Sequence, residues 1–262
     1  MIDTHTHLYL QDAFPEQEGC DAVHRAIEAG VTRMIMPNVD TSSIASITAM
    51  RDKFPDNVFM AMGLHPTEVT DSWKHDLAII EKHLDSVGMV GLGEIGMDLY
   101  WDASKRDHQI KAFKHQLEWA VERRLPIIIH QRKALQDTLD ILKETDLEAI
   151  PAIIFHCFTE GVDSVRAIRE IVPDAFFGIG GVVTFKNASD LKQAIPEIGI
   201  QRIVLETDAP WLAPVPHRGK RNESSYIPVI AGSIAEILGI PPTQVESTTT
   251  DNANQIFNLP VL

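Results

Sequence analysis

Eight short apolar runs, each followed by a stretch of helical periodicity, constrain the fold of this chain more than any other feature. They are MIDTHTH (1–7), TRMIMPNV (32–39), VFMAMGLHP (58–66), MVGLGEIGMD (89–98), PIIIHQR (126–132), AIIFHCF (152–158), AFFGIGG (175–181) and RIVLETDAP (202–210). Their brevity and their β-branched and aromatic content mark them as buried strands. Between them the apolar period changes: in 104–124, Ile110, Phe113, Leu117 and Val121 fall at three- and four-residue steps and line one helix face. Strands joined by crossover helices run parallel, and eight of them are expected to close into a (β/α)8 TIM barrel of the α/β class, because closure leaves no unpaired edge. An open, doubly wound sheet is the alternative arrangement of the same units.

A chain of 262 residues with 44% hydrophobic content is expected to form one barrel domain over 1–262. Two cysteines, Cys20 and Cys157, are too few for a disulfide framework, which fits a reducing compartment. No run approaches the roughly 18 apolar residues of a membrane span, and the start lacks a basic segment followed by an apolar one. The expectation is a cytoplasmic protein without membrane contact. The balance of 23 Lys+Arg against 37 Asp+Glu, net −14, argues against capture of duplex nucleic acid by a broad basic face, so an anionic substrate must be held locally.

In a barrel the working face lies at the C-terminal ends of the strands. Of 11 histidines, five (His24, His75, His83, His108 and His115) fall in expected helices and read as surface residues, and His217 falls in a loop. The other five, His5, His7, His65, His130 and His156, end the first, third, fifth and sixth runs. Residues two apart on a strand share a face, so His5 and His7 point together. Glu94 in LGEIG and Asp208 in ETDAP join them on the same rim. His5, His7, Glu94, His130, His156 and Asp208 offer four imidazoles and two carboxylates, more than one four-coordinate cation needs. The expectation is two divalent ions, of zinc, magnesium or manganese, sharing Glu94 as a bridge. Cys157 follows His156 directly and, by strand alternation, is expected to point away from it as a structural thiol. Glu206 shares parity with Asp208 and suits the orientation of a histidine or a buried structural role.

The motifs DTHTHL, GLHP, GEIGMD, IIIHQR, FHCF, GIGGVVTFKNA, ETDAPWLAP and PHRGKRNE, in that order, make the chain resemble the TatD family of metal-dependent deoxyribonucleases in the amidohydrolase superfamily. The likeness extends to the NANQIF segment at 252–257. It implies the same six metal ligands and phosphodiester hydrolysis at DNA ends, single-stranded or frayed, with His65, Arg132 and Arg218 as phosphate contacts. The chain departs from the family's usual pattern at Thr159-Glu160-Gly161, at Ser224-Ser225, and at Leu99, which displaces the aromatic pair Tyr100-Trp101. None of these is an expected ligand; they bear on substrate choice.

Asp208 is the expected proton acceptor and Glu94 the catalytic bridge, with the ions lowering the pKa of bound water from about 15.7 toward 7. HRGKR (217–221) follows the last run closely and places Arg218 where it can make charge-assisted bonds to phosphate. Tyr100, Trp101 and Trp211 offer rings for base stacking or for loop packing. The rival reading is a small-molecule amidohydrolase or lactonase on the same ligand set.

Overall fold

The computed structural model describes residues 1–15 and 17–259. Eight parallel strands pair in chain order: β1 (Ile2–Asp3), β2 (Arg33–Pro37), β3 (Val58–Met62), β4 (Met89–Asp98), β5 (Ile127–Arg132), β6 (Ile153–Phe155), β7 (Phe176–Ile179) and β8 (Ile203–Leu205). Sequential order excludes the doubly wound alternative, which reverses its strand order at the centre of the sheet. The barrel closes between its first and last strands through an isolated parallel bridge, Thr6 to Ala209, and through backbone bonds from Thr4 N to Leu205 O (2.9 Å), His7 N to Ala209 O (2.8 Å) and Asp208 N to His5 O (2.9 Å). Asp3 adds a clamp there, its carboxylate accepting from Thr207 N (3.0 Å) and the Thr207 hydroxyl (2.6 Å).

Helices α1 (Glu18–Glu28), α2 (Ile44–Lys53), α3 (Trp73–Ile80), α4 (Arg106–Arg123), α5 (Leu135–Lys143), α6 (Val162–Ile171), α7 (Ser189–Ile198) and α8 (Ile227–Leu238) follow the strands in turn, and α9 (Pro242–Phe257) ends the described chain. The expected 104–124 helix begins with a short 3-10 turn at Ala103–Lys105, capped by the Asp102 carboxylate on Ser104 N, before α4 proper. Its buried face is wider than the apolar spacing indicates. Gln109 and Gln116 are buried beside Phe113 and Leu117, and each clamps a main-chain segment: Gln109 bonds both Asp98 N and Asp98 O at 2.9 Å, and Gln116 bonds Leu64 N at 2.7 Å.

The barrel interior is layered. Its lower layer holds Ile2, Ile35, Phe59, Ala61, Ile128, Ile154, Phe176 and Val204, and α9 plugs it from below with Ile256 and Phe257. Asn252 fixes that plug by donating to Ile200 O and Ile203 O. The NANQIF segment is thus a stopper for the end opposite the rim. Two residues beyond Ile128, Ile154 and Val204 come His130, His156 and Glu206, so strand alternation carries them into the next layer up. No single helix among the described residues is long and apolar enough to cross a membrane.

Candidate metal centre

Glu94 stands at the middle of the rim, 3% exposed, and its two oxygens face different histidines. Oε2 lies 3.1 Å from His5 Nε2 and 3.8 Å from His7 Nε2. Oε1 lies 2.6 Å from His130 Nδ1, 3.1 Å from His156 Nε2 and 3.3 Å from His65 Nε2. Asp208 Oδ1 completes the first side at 3.9 Å from His5 Nε2 and 3.7 Å from His7 Nε2, while the two Nε2 atoms are 3.1 Å apart. Asp208 lies past the end of β8 in the left-handed region (φ 54°), which aspartate tolerates better than most residues. All six expected ligands and His65 therefore converge.

The donor set can be tested against an ion without placing one. Four ligands about 2.0 to 2.2 Å from a tetrahedral centre stand about 3.3 to 3.6 Å from one another. The separations among His5, His7, Glu94 and Asp208 on the Oε2 side run from 3.1 to 3.9 Å and bracket that range. Tautomers agree. The Tyr9 hydroxyl has one hydrogen, which it gives to Pro37 O (2.5 Å), so it accepts from His7 Nδ1 (3.1 Å), and the His7 Nε2 lone pair faces the cluster. His130 turns Nε2 to Asp98 Oδ2 (2.9 Å) and leaves Nδ1 facing inward, and His156 has Glu206 Oε1 3.1 Å behind its Nδ1. Carboxylates placed behind metal-facing imidazoles are the usual means of fixing ring and tautomer. The residues fit a divalent cation.

His65 is of a different kind. A backbone N–H only donates, so the 3.2 Å bond from Thr67 N makes His65 Nδ1 an acceptor and puts the hydrogen of the neutral ring on Nε2, facing Glu94 Oε1. It is a hydrogen-bond donor at the edge of the cluster.

The packed titratable groups shift one another strongly. Burial, with the His156 charge adding, pushes His5 down to about 3, and burial and the His5 charge push His7 well below its ordinary value. Burial also opposes charge on His156, yet Glu206 and Glu94 outweigh it and raise that ring. For Glu94 burial is outweighed by His156, His65 and His5, which hold it well below the usual carboxylate range. Burial raises Asp208 to about 7. Holding His5 and His7 neutral beside an anionic Glu94 in one small volume readies that side of the site for a cation.

Cys157 corrects the expectation from alternation. β6 ends at Phe155, and Cys157 adopts φ 47°, which breaks the strand's period and leaves Sγ within 4.8 Å of a His156 ring nitrogen and a Glu206 carboxylate oxygen. The residue stays beside His156 and Glu206 and lines the cleft next to them. Its pKa is pushed well up by burial and by the charges of Asp208, Glu206 and Glu94.

Arg132 and Arg218 stand outside the cluster. Arg132 lines a cleft of about 220 Å³ with Lys133, His156, Cys157, Thr159 and Glu160, its guanidinium 3.9 Å above the Tyr100 ring and 5.3 Å from Trp101. Arg218 lies 4.4 Å over Phe185. Of the neighbouring HRGKR residues, Arg221 is already engaged with Glu18 and Ala13 O. The residues that sequence reasoning passed over are Tyr9, Asp98, Gln109 and Gln116, which hold the rim in place; Asp98 ends GEIGMD and carried a positional signal, and the glutamines carried none.

A parallel barrel whose C-terminal rim gathers histidines and carboxylates around a cation-sized gap defines a metal-dependent hydrolase architecture. The chain belongs to the TatD family: the profile described as TatD related DNase matches residues 2–258. It is 37% identical over 259 residues to the metal-dependent hydrolase YabD of Bacillus subtilis, covering 99% of each chain, and 32% identical over 268 residues to the metal-dependent hydrolase TatD of Mycobacterium tuberculosis, covering 99% and 98%. The crystal structure of YJJV, a TatD homologue from Escherichia coli, superposes with a TM-score of 0.89 at 26% identity, covering 99% and 98%.

Proposed function

We propose that this protein is a deoxyribonuclease that hydrolyses phosphodiester bonds at single-stranded or frayed DNA ends, with metal ions held on the two sides of Glu94 by His5, His7, Glu94, His130, His156 and Asp208. The observation that carries the phosphate assignment is the state of the rim arginines. In a chain with 37 acidic residues, Arg124, Arg132 and Arg218 are the arginines whose side chains have no hydrogen bond or ion pair among the described residues. Arg124 caps α4 at the opposite end of the barrel. The other two are on the rim, each held against aromatic faces with its N–H fork uncommitted, as a phosphate clamp requires.

A divalent ion bound here supplies an acidified water and positive charge for the oxygens of an in-line displacement. The chain's own groups do the rest. Asp208 takes the proton, because its carboxylate reaches the mouth at 15% exposure whereas Glu94 is sealed at 3%. His65 offers its Nε2–H to a phosphate oxygen entering beside Glu94. Arg132 and Arg218 fix the scissile phosphate, and Tyr100, Trp101 and Trp211, which are 52%, 68% and 49% exposed, accept unpaired bases.

The test compares Arg132→Ala and Arg218→Ala on single-stranded DNA and on a small neutral lactone. A charge-assisted bond is worth roughly 1.5 to 3 kcal/mol, so each change should lower kcat/KM on DNA by roughly 10- to 150-fold and leave the lactone nearly unaffected. Equal losses on both substrates, or a lactone turned over faster than any nucleic acid, would remove the nuclease reading.

A further inference from the structure

Asp98 is 1% exposed at the last position of β4, and both of its oxygens are committed to different structures. Oδ2 lies 2.9 Å from His130 Nε2. Oδ1 accepts from Tyr100 N (2.9 Å) and Trp101 N (3.1 Å), which shapes the turn that carries the two exposed rings under Arg132. The carboxylate itself is prevented from shifting: Gln109 clamps Asp98 N and O, and the neighbouring Leu99 N bonds Arg132 O at 3.0 Å. Gly96, opposite His130 in the β4–β5 register, has φ 138°, and a Cβ there would stand 2.1 Å from His130 O, so glycine is what lets the two strands approach this closely beside His130.

We propose that Asp98 is a positioning residue that makes one mechanical unit of the inward-facing His130 and the aromatic turn Leu99–Trp101, so that metal affinity and the order of the turn depend on each other. This rests on His130 being a metal ligand. The reason for a carboxylate is stoichiometric. His130 Nε2–H and the two backbone N–H groups are all donors, and only a group with two acceptor oxygens serves both sides at once. An asparagine has a single oxygen, which serves the ring or the turn, while its NH2 group faces a donor on the other side. Coupling of this kind is reciprocal: whatever orders the turn tightens the ion, and the ion orders the turn by the same factor.

The experiment uses the full chain with zinc as the probe and no DNA. Metal affinity is measured by competition with a chelator, and access to the turn by acrylamide quenching of tryptophan fluorescence, with and without zinc. Trp73 and Trp119 are buried, and Trp211 is read out by repeating the measurement in a Trp211→Phe background. In the wild type, zinc should reduce quenching of Trp101. Asp98→Asn should lower zinc affinity about 10- to 100-fold, the range for loss of a group that orients a ligand, and should abolish the zinc effect on quenching. Gln109→Met leaves the carboxylate but frees its backbone, and should shift both readouts in the same direction by less; it keeps the test open if Asp98→Asn folds poorly. His130→Ala separates the two levels of the argument. Unchanged zinc affinity in His130→Ala would overturn the ligand reading and the proposal with it. A loss in His130→Ala with wild-type affinity and wild-type quenching in Asp98→Asn would overturn the coupling alone.

Discussion

Asp208 combines two properties that the other ligand-type residues do not share: a left-handed backbone and a carboxylate that reaches the mouth of the site. Asp208→Asn keeps the volume and one metal-facing oxygen but cannot take a proton. At metal concentrations that saturate the variant, kcat should fall by about 100- to 10,000-fold; initial rates measured beside an equilibrium metal titration decide this, and a near wild-type kcat would move the proton to another group. The six ligand-type residues were legible because each is polar at the end of an apolar run, where burial without purpose is costly. Tyr9 was not legible, and Asp98 only by its place at the end of GEIGMD, since their work is done on the far nitrogens of histidines, a relation that needs coordinates. Cys157 misled because alternation holds only while the strand lasts, and β6 stops two residues before it.

Elements hold this site through their ends. The segment after β8 returns to α1 through Glu223, whose carboxylate takes a forked bond from Arg25 at 3.0, 3.1 and 2.6 Å. Burial disfavours ionisation of Glu223, but bonds from Arg25 and Ser225 outweigh it and hold the carboxyl below its ordinary 4.5. A depressed carboxyl contributes stability that is present above the unfolded value and is lost as pH falls through the folded one. Arg25 is 43% exposed, so screening limits the pair to about 1 kcal/mol. Glu223→Gln should therefore be about 1 kcal/mol less stable than wild type at pH 7 in urea unfolding, with the gap closing as pH falls below the ordinary 4.5 and through the lowered folded value. A gap that persists at acid pH would assign the effect to packing. The barrel itself was readable from eight runs and their periodic partners, and so was the direction of the rim. The glutamines buried in α4 were not, because a helix-facing amide that satisfies main-chain atoms looks, in sequence, like a surface residue.

At the scale of the whole molecule, the chain carries a net charge of −14, and two arginines without a hydrogen bond or ion pair among the described residues, Arg132 and Arg218, stand at the mouth of the barrel. The other whole-molecule feature is the closure between β1 and β8. β1 is two residues long and pairs with β2 at two positions, while its contact with the β8 side is one bridge, a few main-chain bonds and the Asp3–Thr207 clamp. His5 and His7 lie on one side of that closure and Asp208 on the other, just past the first and last strands of the barrel's order. An ion gripped by all three is a clasp across a seam, and it closes a loop of about three-quarters of the polypeptide, a long loop whose closure is costly for the unfolded chain. Zinc at about 100 times its dissociation constant should add about 2.7 kcal/mol to stability. Amide exchange should slow first at Thr4, His7 and Asp208 and little at the long β4–β5 pairing, whereas uniform slowing would mean that the ion tightens the barrel as a whole. The cation that arms the enzyme would then also be its fastener, so that a cell short of metal would lose the protein to unfolding as well as the activity.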